Sequence, residues 1–264
     1  MQEFNKVTLE TIDTTGIMRL NDPDAMNAVS DEMLDGLWSC LNEVENSKSN
    51  IKCLVITGEG RGFCAGANLS GGSDRSNTGR QDAGHRLETS YHPILRRIKN
   101  LKIPMITSVN GPAAGVGMSL ALMGDIILAG KSAFFLQAFR RIGLVPDGGS
   151  TWLLPRLVGM ARAKELAILG ERLSAEKAFE WGLINRLFED NELHNESLKL
   201  AQELSHGPMS LGLIRKAFWE SFDNSYEEQI NLERELQFTA GQSNDFKEGV
   251  TAFLEKRDAN FTGK

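Results

Sequence analysis

Two short glycine-rich turns constrain this chain more than any other feature of its sequence. The first covers residues 63–69 (FCAGANL) and the second covers residues 110–117 (NGPAAGVG). Each follows an apolar run typical of a strand and leads into small residues that favour a helix start. The start of a helix carries unpaired backbone N–H groups and the positive end of a dipole. Two such starts that point at one place predict an oxyanion hole.

A third segment, residues 143–149 (GLVPDGG), contains Asp147, the carboxylate that we place beside the two turns. An oxyanion hole with one adjacent carboxylate is suited to forming an enolate and protonating it again. Pro-Asp-Gly is also a favoured turn tripeptide, so a purely structural role for Asp147 is the alternative interpretation.

Composition excludes several classes of protein. A length of 264 residues with 41% apolar content is enough for a substantial core, and a net charge of −6 argues against nucleic acid as a partner. The three cysteines (Cys40, Cys53 and Cys64) show no Cys-x-x-Cys spacing, and no acidic or histidine cluster has metal-ligand spacing. Without a signal-peptide pattern or a membrane-spanning apolar run, we expect a cytoplasmic protein that holds no metal.

Hydrophobic patterning divides the chain into two halves. The first half alternates strands and helices, which predicts a parallel sheet with right-handed crossovers. Its expected strands are 7–12, 17–20, 53–57, 104–109, 125–129 and 133–138. One expected helix begins at Ser30, and two others span 85–99 and 117–124. The second half has helical spacing at 149–158, 162–169, 175–181, 192–205, 208–222, 226–240 and 245–256. Residues 70–84 lack periodicity and predict a mobile surface loop or active-site lid.

Four motifs in fixed order make the chain resemble the crotonase superfamily, the enoyl-CoA hydratases and isomerases. They are residues 21–28 (NDPDAMNA), the first turn, residues 110–125 and residues 249–261. Within the superfamily, residues 143–156 and the closing Phe-Thr-Gly-Lys are most similar to the ring 1,2-epoxyphenylacetyl-CoA isomerase group.

The resemblance implies an α/β fold, a crotonase-like spiral of β-β-α repeats with a C-terminal helical extension. Residues 1–200 would form the spiral core, and residues 201–264 would form a helical trimerisation region of a homotrimer or a dimer of trimers. The ligand would be an acyl-CoA thioester, which is the substrate, with no separate cofactor. The backbone N–H groups of Ala67 and Val116 would form the oxyanion hole, while Gly66, Gly115 and Gly117 let the backbone approach the thioester.

The resemblance also implies how the CoA arm is bound. The loop around Ala25 and the backbone near Ala65 match the family positions for pantetheine and adenine. Phe253 and Lys256 match positions that reach the adenine and its phosphate from a neighbouring subunit. A plain amphipathic helix is the alternative interpretation of these last two residues.

The departures from the family pattern are as informative as the matches. The two glutamates that activate water in hydratases fall on Ser119 and Phe139, so Phe139 is expected in the substrate site without an acid. Asp147 matches the single carboxylate of the isomerases, whereas Asn68 replaces the usual Asp with little expected effect. The chain therefore resembles a one-carboxylate isomerase acting on a 3-enoyl-CoA or an aromatic epoxide CoA thioester, in fatty-acid or phenylacetate metabolism.

Three other functions stay open from the sequence. A hydratase is possible if Glu88 swings into the site, and a dehalogenase if Asp147 acts as a nucleophile. The third is a non-catalytic acyl-CoA-binding subunit. Tyr91 and His92 are candidates for the acyl pocket, and Cys64 is expected to be a small packing residue and not a nucleophile.

The residues near Asp147 in the sequence indicate that its pKa is raised. Leu144, Val145, Phe139 and Trp152 are apolar, and we expect them to raise the pKa of the carboxyl group. Ser119 has no closing glycine of a nucleophile elbow after it, so we expect a small residue at a tight helix-packing point.

Overall fold

Two β-sheets and their covering helices form the computed structural model, which describes residues 1–69 and 82–263. The larger sheet has the strand order β1-β2-β3-β4-β5-β7-β10 and the smaller has the order β6-β8-β9. The strands are β1 (Gln2–Phe4), β2 (Val7–Ile12), β3 (Thr15–Leu20), β4 (Cys53–Gly58), β5 (Met105–Val109), β6 (Ala113–Ala114), β7 (Ile126–Gly130), β8 (Phe134–Leu136), β9 (Arg172–Ser174) and β10 (Arg186–Phe188).

The helices cover both faces of the larger sheet. They are α1 (Asp31–Glu45), α2 (His92–Lys99), α3 (Val116–Ala121), α4 (Ser150–Val158), α5 (Met160–Leu169), α6 (Ala175–Glu180), α7 (Asp190–Ser205), α8 (Ser210–Ser221), α9 (Tyr226–Gly241) and α10 (Asn244–Glu255). A π-helical turn, Leu87–Tyr91, leads into α2, and 3₁₀ turns occupy Pro23–Ala25 and Ala138–Ile142.

The predicted parallel sheet is confirmed. Strands β3, β4, β5, β7 and β10 run parallel, while β1 and β2 add an antiparallel edge. Every residue of β4 and β5 is buried because helices cover both faces of the sheet. Ser30 caps α1 as expected, with its Oγ accepting from the Met33 N–H at 3.3 Å.

Two short strands lie between the helices expected in the second half of the chain. β9 pairs antiparallel with β8, and β10 pairs parallel with β7 at the edge of the larger sheet. Each has three residues, too few for a period of two to stand out, and each is fixed by its partner strand. The single helix expected over 85–99 is the π-helical turn followed by α2.

The helix α7 forms the second layer of the core. It packs against β4, β5 and β7 through Leu193 and Leu200, which join a buried cluster with Ile17, Val55 and Ile106. It also runs through residue 200, where we placed the boundary between spiral core and C-terminal region, and that boundary stays a prediction.

The expected lid lies outside the described residues except at 82–84. None of the described helices is long and apolar enough to cross a membrane.

One buried arginine fastens the C-terminal helices to the core. Arg215 of α8 donates through Nε to Asp125 Oδ2 at 2.8 Å and through Nη2 to the Ile98 carbonyl at 2.8 Å. Its Nη1 donates to the carbonyls of Lys99 and Leu101. These carbonyls end α2, so α8 is held against the helix that borders the site described next.

Candidate active site

The topology brings the two glycine-rich turns together. The first turn follows β4 and the second follows β5, and neighbouring parallel strands end at the same edge of a sheet. The N–H of Cys64 donates to the Pro112 carbonyl at 3.0 Å, and the N–H of Ala114 donates to the Cys64 carbonyl at 2.9 Å. The turns are thus joined by backbone hydrogen bonds.

The first turn leaves the N–H of Ala67 without a partner. Val29 donates to the Gly66 carbonyl at 2.7 Å and accepts from the Asn68 N–H at 2.9 Å, which forms a parallel bridge. The N–H of Ala67 faces away from that bridge because successive amides alternate along an extended chain. It donates no hydrogen bond to any described residue.

In the second turn, the N–H of Val116 likewise has no hydrogen-bond partner among the described residues. Val116 is the first residue of α3, and its N–H donates to no carbonyl in the described ranges. Gly115 precedes it with a φ of +54°, a conformation that favours glycine.

The glycines set how closely the turns approach. Gly66 has a φ of +105°, and a Cβ atom there would lie 2.9 Å from the Ala114 carbonyl oxygen. A Cβ atom at Gly117 would lie 2.3 Å from the Cys64 carbonyl oxygen. Any side chain at either position would push the turns apart. The oxyanion role of Ala67 and Val116 itself stays a prediction.

Asp147 lies next to the second turn. The N–H of Gly115 donates to the Leu136 carbonyl at 2.9 Å, so the loop that follows β8 borders this turn. A Cβ atom at Gly148 would lie 2.7 Å from Ser119 Cβ and 3.5 Å from Val116 Cγ2. The residue after Asp147 therefore packs directly on the start of α3.

The carboxylate of Asp147 is half-buried, and its buried oxygen Oδ1 is unsatisfied by the described residues. Its Oδ1 has no hydrogen-bond partner in the described part of the chain. Burial raises the pKa of Asp147 from 3.8 to about 6, and the charge of His92 opposes the shift. A half-buried carboxylate with a free oxygen and a pKa near 6 is suited to exchanging a proton with a bound ligand.

Ser119 holds the backbone of Asp147 and is placed as a packing residue. Its Oγ donates to the Asp147 carbonyl at 2.9 Å, and Ser150 Oγ donates to the same oxygen at 3.0 Å. Ser119 is fully buried against Gly148, which agrees with the tight packing point expected from the sequence.

The apolar surroundings of Asp147 differ in part from the expectation. Phe139 is buried, and its Cζ would lie 3.8 Å from a Cβ atom at Gly115. Trp152 is half-buried, whereas Leu144 is 44% exposed and Val145 is 80% exposed in the single chain. These two exposed residues therefore offer less apolar cover than expected. Burial by other residues raises the pKa.

Neither Cys64 nor Glu88 is placed to react. Burial raises the pKa of the Cys64 thiol to about 12, which leaves an unreactive thiol. Glu88 is exposed, and its hydrogen bonds with Arg96 and His92 lower its pKa to about 2. An ionised carboxylate held by Arg96 and His92 cannot supply the proton that the hydratase alternative requires.

A cavity of about 330 Å³ opens beside Gly148 and Gly149. Its other lining residues come mostly from α2, α4 and α8, and they are His92, Leu95, Arg96, Lys99, Met123, Trp152, Leu153, Trp219 and Asp223. The rings of Trp152 and Trp219 stack with centroids 5.8 Å apart. Trp219 was not expected from the sequence, because no local sequence pattern indicates that α8 reaches this cavity.

The expected CoA-binding residues fall into two groups. Ala25 and Ala65 lie in adjacent loops, because the N–H of Ala65 donates to the Met26 carbonyl at 2.9 Å. Phe253, which is 82% exposed, and Lys256 lie on or at the end of α10, which packs against α9. Their roles stay predictions. No group of metal-binding side chains occurs within 1–69 and 82–263.

Comparison with known proteins places the chain in a family. The profile of the enoyl-CoA hydratase/isomerase family matches residues 10–264, and the chain belongs to this family. A 1,2-epoxyphenylacetyl-CoA isomerase of Escherichia coli (strain K12) is 46% identical over 248 residues, which are 94% of each chain. A probable enoyl-CoA hydratase of Rhodobacter capsulatus is 39% identical over 99% of each chain.

Solved structures agree with this assignment. An enoyl-CoA hydratase/isomerase of Cupriavidus metallidurans CH34 superimposes with a TM-score of 0.92 at 32% identity, covering 100% of this chain and 98% of the other. The crotonase fold, the spiral of β-β-α repeats expected from the sequence, is therefore confirmed. The protein is an enzyme of the enoyl-CoA hydratase/isomerase family.

Proposed function

We propose that the enzyme isomerises acyl-CoA thioesters by shifting a double bond, or opening a ring epoxide, next to the thioester. The observation that carries the proposal is Asp147, a half-buried carboxylate with a free oxygen, beside two turns whose N–H groups at Ala67 and Val116 have no described partner. The 46% identity with the isomerase from Escherichia coli supports the same reaction class.

The proposed reaction begins with the thioester carbonyl oxygen bound by the two backbone N–H groups. Asp147 removes a proton from the carbon next to the carbonyl, and the N–H groups stabilise the resulting enolate oxygen. Loss of one such donor typically costs about 3–4 kcal/mol in the transition state. A proton is then delivered to a different carbon, which completes the shift of the double bond.

The raised pKa of Asp147 suits both proton transfers. A carboxylate of ordinary pKa is a weak base and releases a proton too readily to deliver it to carbon. A pKa of about 6 brings the group closer to neutral pH, where both its forms are accessible.

The residues around Asp147 disfavour the hydratase alternative. Ser119 and Phe139 match the positions at which hydratases of the family carry glutamates, and the Ser119 hydroxyl is bonded to a backbone carbonyl. Glu88 is ionised and paired with Arg96 at 3.0 Å. Within residues 1–69 and 82–263, water therefore lacks a pair of carboxylates that would hold and activate it.

CoA binding and assembly complete the proposal. The loops at Ala25 and Ala65 would bind the CoA arm, and Phe253 and Lys256 of a neighbouring copy would reach its adenine and phosphate. The site would then be complete only in a homotrimer or a dimer of trimers. We further propose that the enzyme acts in the cytoplasm, in phenylacetate or fatty-acid catabolism.

The test compares two substrates in the wild type and in Asp147→Asn. We expect 3-hexenoyl-CoA to be isomerised by the wild type and crotonyl-CoA to be hydrated slowly or not at all. Asp147→Asn should lose isomerase activity by a factor of about 10²–10⁴, as removal of a general base does. Rapid crotonyl-CoA hydration that survives Asp147→Asn would falsify the assignment.

Two further outcomes identify the remaining alternatives. CoA binding without turnover of either substrate would indicate a binding subunit. A mass increase on Asp147 after incubation with a halogenated aromatic CoA thioester would indicate a dehalogenase. Sedimentation of the purified protein measures the oligomeric state.

A further inference from the structure

The cavity beside Gly148 and Gly149 is also lined by a second group that can hold a proton, the imidazole of His92. We propose that His92, held by Glu88, is a second acid/base residue that exchanges a proton with the acyl chain while Asp147 acts next to the carbonyl. This inference rests on the proposed isomerase function and assigns a further residue to it.

The contacts of His92 determine which ring nitrogen is free. Its Nδ1 lies 2.8 Å from Glu88 Oε2, and Arg96 Nη1 donates to Glu88 Oε1 at 3.0 Å. Because Glu88 is ionised and has no proton to donate, Nδ1 carries the proton of that hydrogen bond. Nε2 makes no hydrogen bond with a described residue and is the nitrogen available to a ligand.

A carboxylate behind an imidazole fixes the ring orientation and favours proton uptake at the other nitrogen. Arg96 keeps Glu88 in place from the next turn of α2. His92, Glu88 and Arg96 thus form a small ordered chain of groups on one face of the helix, at the rim of the cavity.

His92 and the loop that carries Asp147 border the same cavity. The cavity of about 330 Å³ is bordered by His92 on α2 and by the two glycines that directly follow Asp147. The charge of His92 also lowers the pKa of Asp147, which requires the two side chains to lie within electrostatic reach. The apolar side chains of Met123, Trp152 and Trp219 line this cavity and make it suitable for an acyl group.

A second group divides the two proton transfers of the reaction between two side chains. A shift of the double bond from C3–C4 to C2–C3 breaks a C2–H bond and forms a C4–H bond, two carbons apart. Asp147 takes the proton from C2, and the electron pair moves through the thioester enolate. The imidazolium of His92 gives its Nε2 proton to C4. The proton on Asp147 then passes through water to Nε2, so both groups are restored and nothing is oxidised or reduced.

The experiment follows a deuterium label. 3-Hexenoyl-CoA deuterated at C2 is converted in H₂O, and the deuterium at C4 of the product is measured by mass spectrometry. A single carboxylate returns part of the label to C4, whereas two groups deliver a solvent proton there. We expect little label at C4 with the wild type. We expect higher retention with His92→Gln, together with a loss of kcat of about 10²-fold or more.

Two more variants control the measurement. Glu88→Gln should give a smaller loss and intermediate retention, since the imidazole stays but loses its partner. His206→Gln is the matched control, because His206 Nε2 pairs with Asp13 Oδ2 at 2.9 Å on an exposed part of the chain. It should leave the rate and the label unchanged. If His92→Gln does not fold by circular dichroism, His92→Asn replaces it.

The outcomes separate the two proposals. Unchanged rate and label content in a folded His92 variant overturn the role of His92 and leave the isomerase function standing, as does high label retention in the wild type. A wild type that does not isomerise 3-hexenoyl-CoA or a ring epoxide thioester refutes the isomerase function, and the role of His92 falls with it.

Discussion

Asp147→Asn is expected to make the folded protein more stable at neutral pH while it removes activity. The folded-state pKa of Asp147 is raised from 3.8 to about 6, so folding binds a proton and ionisation at neutral pH opposes folding. At 1.36 kcal/mol per pKa unit, this shift sets an upper limit of about 3 kcal/mol. The partial exposure of the carboxylate reduces the expected gain to about 1–2 kcal/mol.

The pH dependence distinguishes this cause from a general packing effect. Below pH 4 the carboxyl group is protonated in both folded and unfolded states, and the advantage of asparagine disappears. The advantage develops as the pH rises from 4 to 6 and is complete above 6. Urea unfolding of both proteins at pH 4.5, 5.5 and 6.5 measures it, and more than half of the difference at pH 6.5 should be gone at pH 4.5.

A matched control is Asp35→Asn, which removes an exposed carboxylate from α1. We expect no pH-dependent difference for this variant. An Asp147→Asn protein that is no more stable than the wild type at pH 6.5 would refute the reasoning. So would a difference that stays constant from pH 4.5 to 6.5.

Three other perturbations test the architecture. Gly66→Ala, at a φ of +105° and against a carbonyl of the second turn, should cost about 1–3 kcal/mol in urea unfolding and lower kcat/KM. Gly143→Ala is its control, because Gly143 also has a positive φ (+73°) but a Cβ atom there meets nothing within 4 Å. It should show backbone strain in unfolding while kcat/KM holds. Arg215→Ala leaves Asp125 without its cation and should cost about 3–5 kcal/mol in the same assay. Cys64 should resist iodoacetamide until the protein unfolds, and labelling of the native protein contradicts its burial.

The parts of the fold that the sequence predicted are those with long local patterns. The buried strand β4 and the capped helix α1 follow directly from an uncharged β-branched run and from Ser30 with its acidic first turn. The short strands β9 and β10 could not be recognised, because pairing with β8 and β7 stabilises them and no period in three residues reveals it.

The same distinction holds at the candidate site. The glycines of the two turns stand out because only glycine tolerates their positive φ and close backbone contacts. The burial of Arg215 and the arrival of Trp219 at the cavity depend on how α8 docks, which the local sequence does not encode. The pairing of Glu88 with Arg96 was equally invisible, since it depends on side-chain orientations around the π-helical turn.

The hydrogen bonds that join the two turns involve main-chain atoms of Phe63, Cys64, Pro112 and Ala114. Exchange of most side chains would leave the spacing between the amides of Ala67 and Val116 intact. If the proposed roles hold, a scaffold of this kind lets natural selection change reactivity at one loop position such as 147 while the proposed carbonyl-binding geometry is inherited unchanged. Divergence into new chemistries then requires few mutational steps and little loss of foldability.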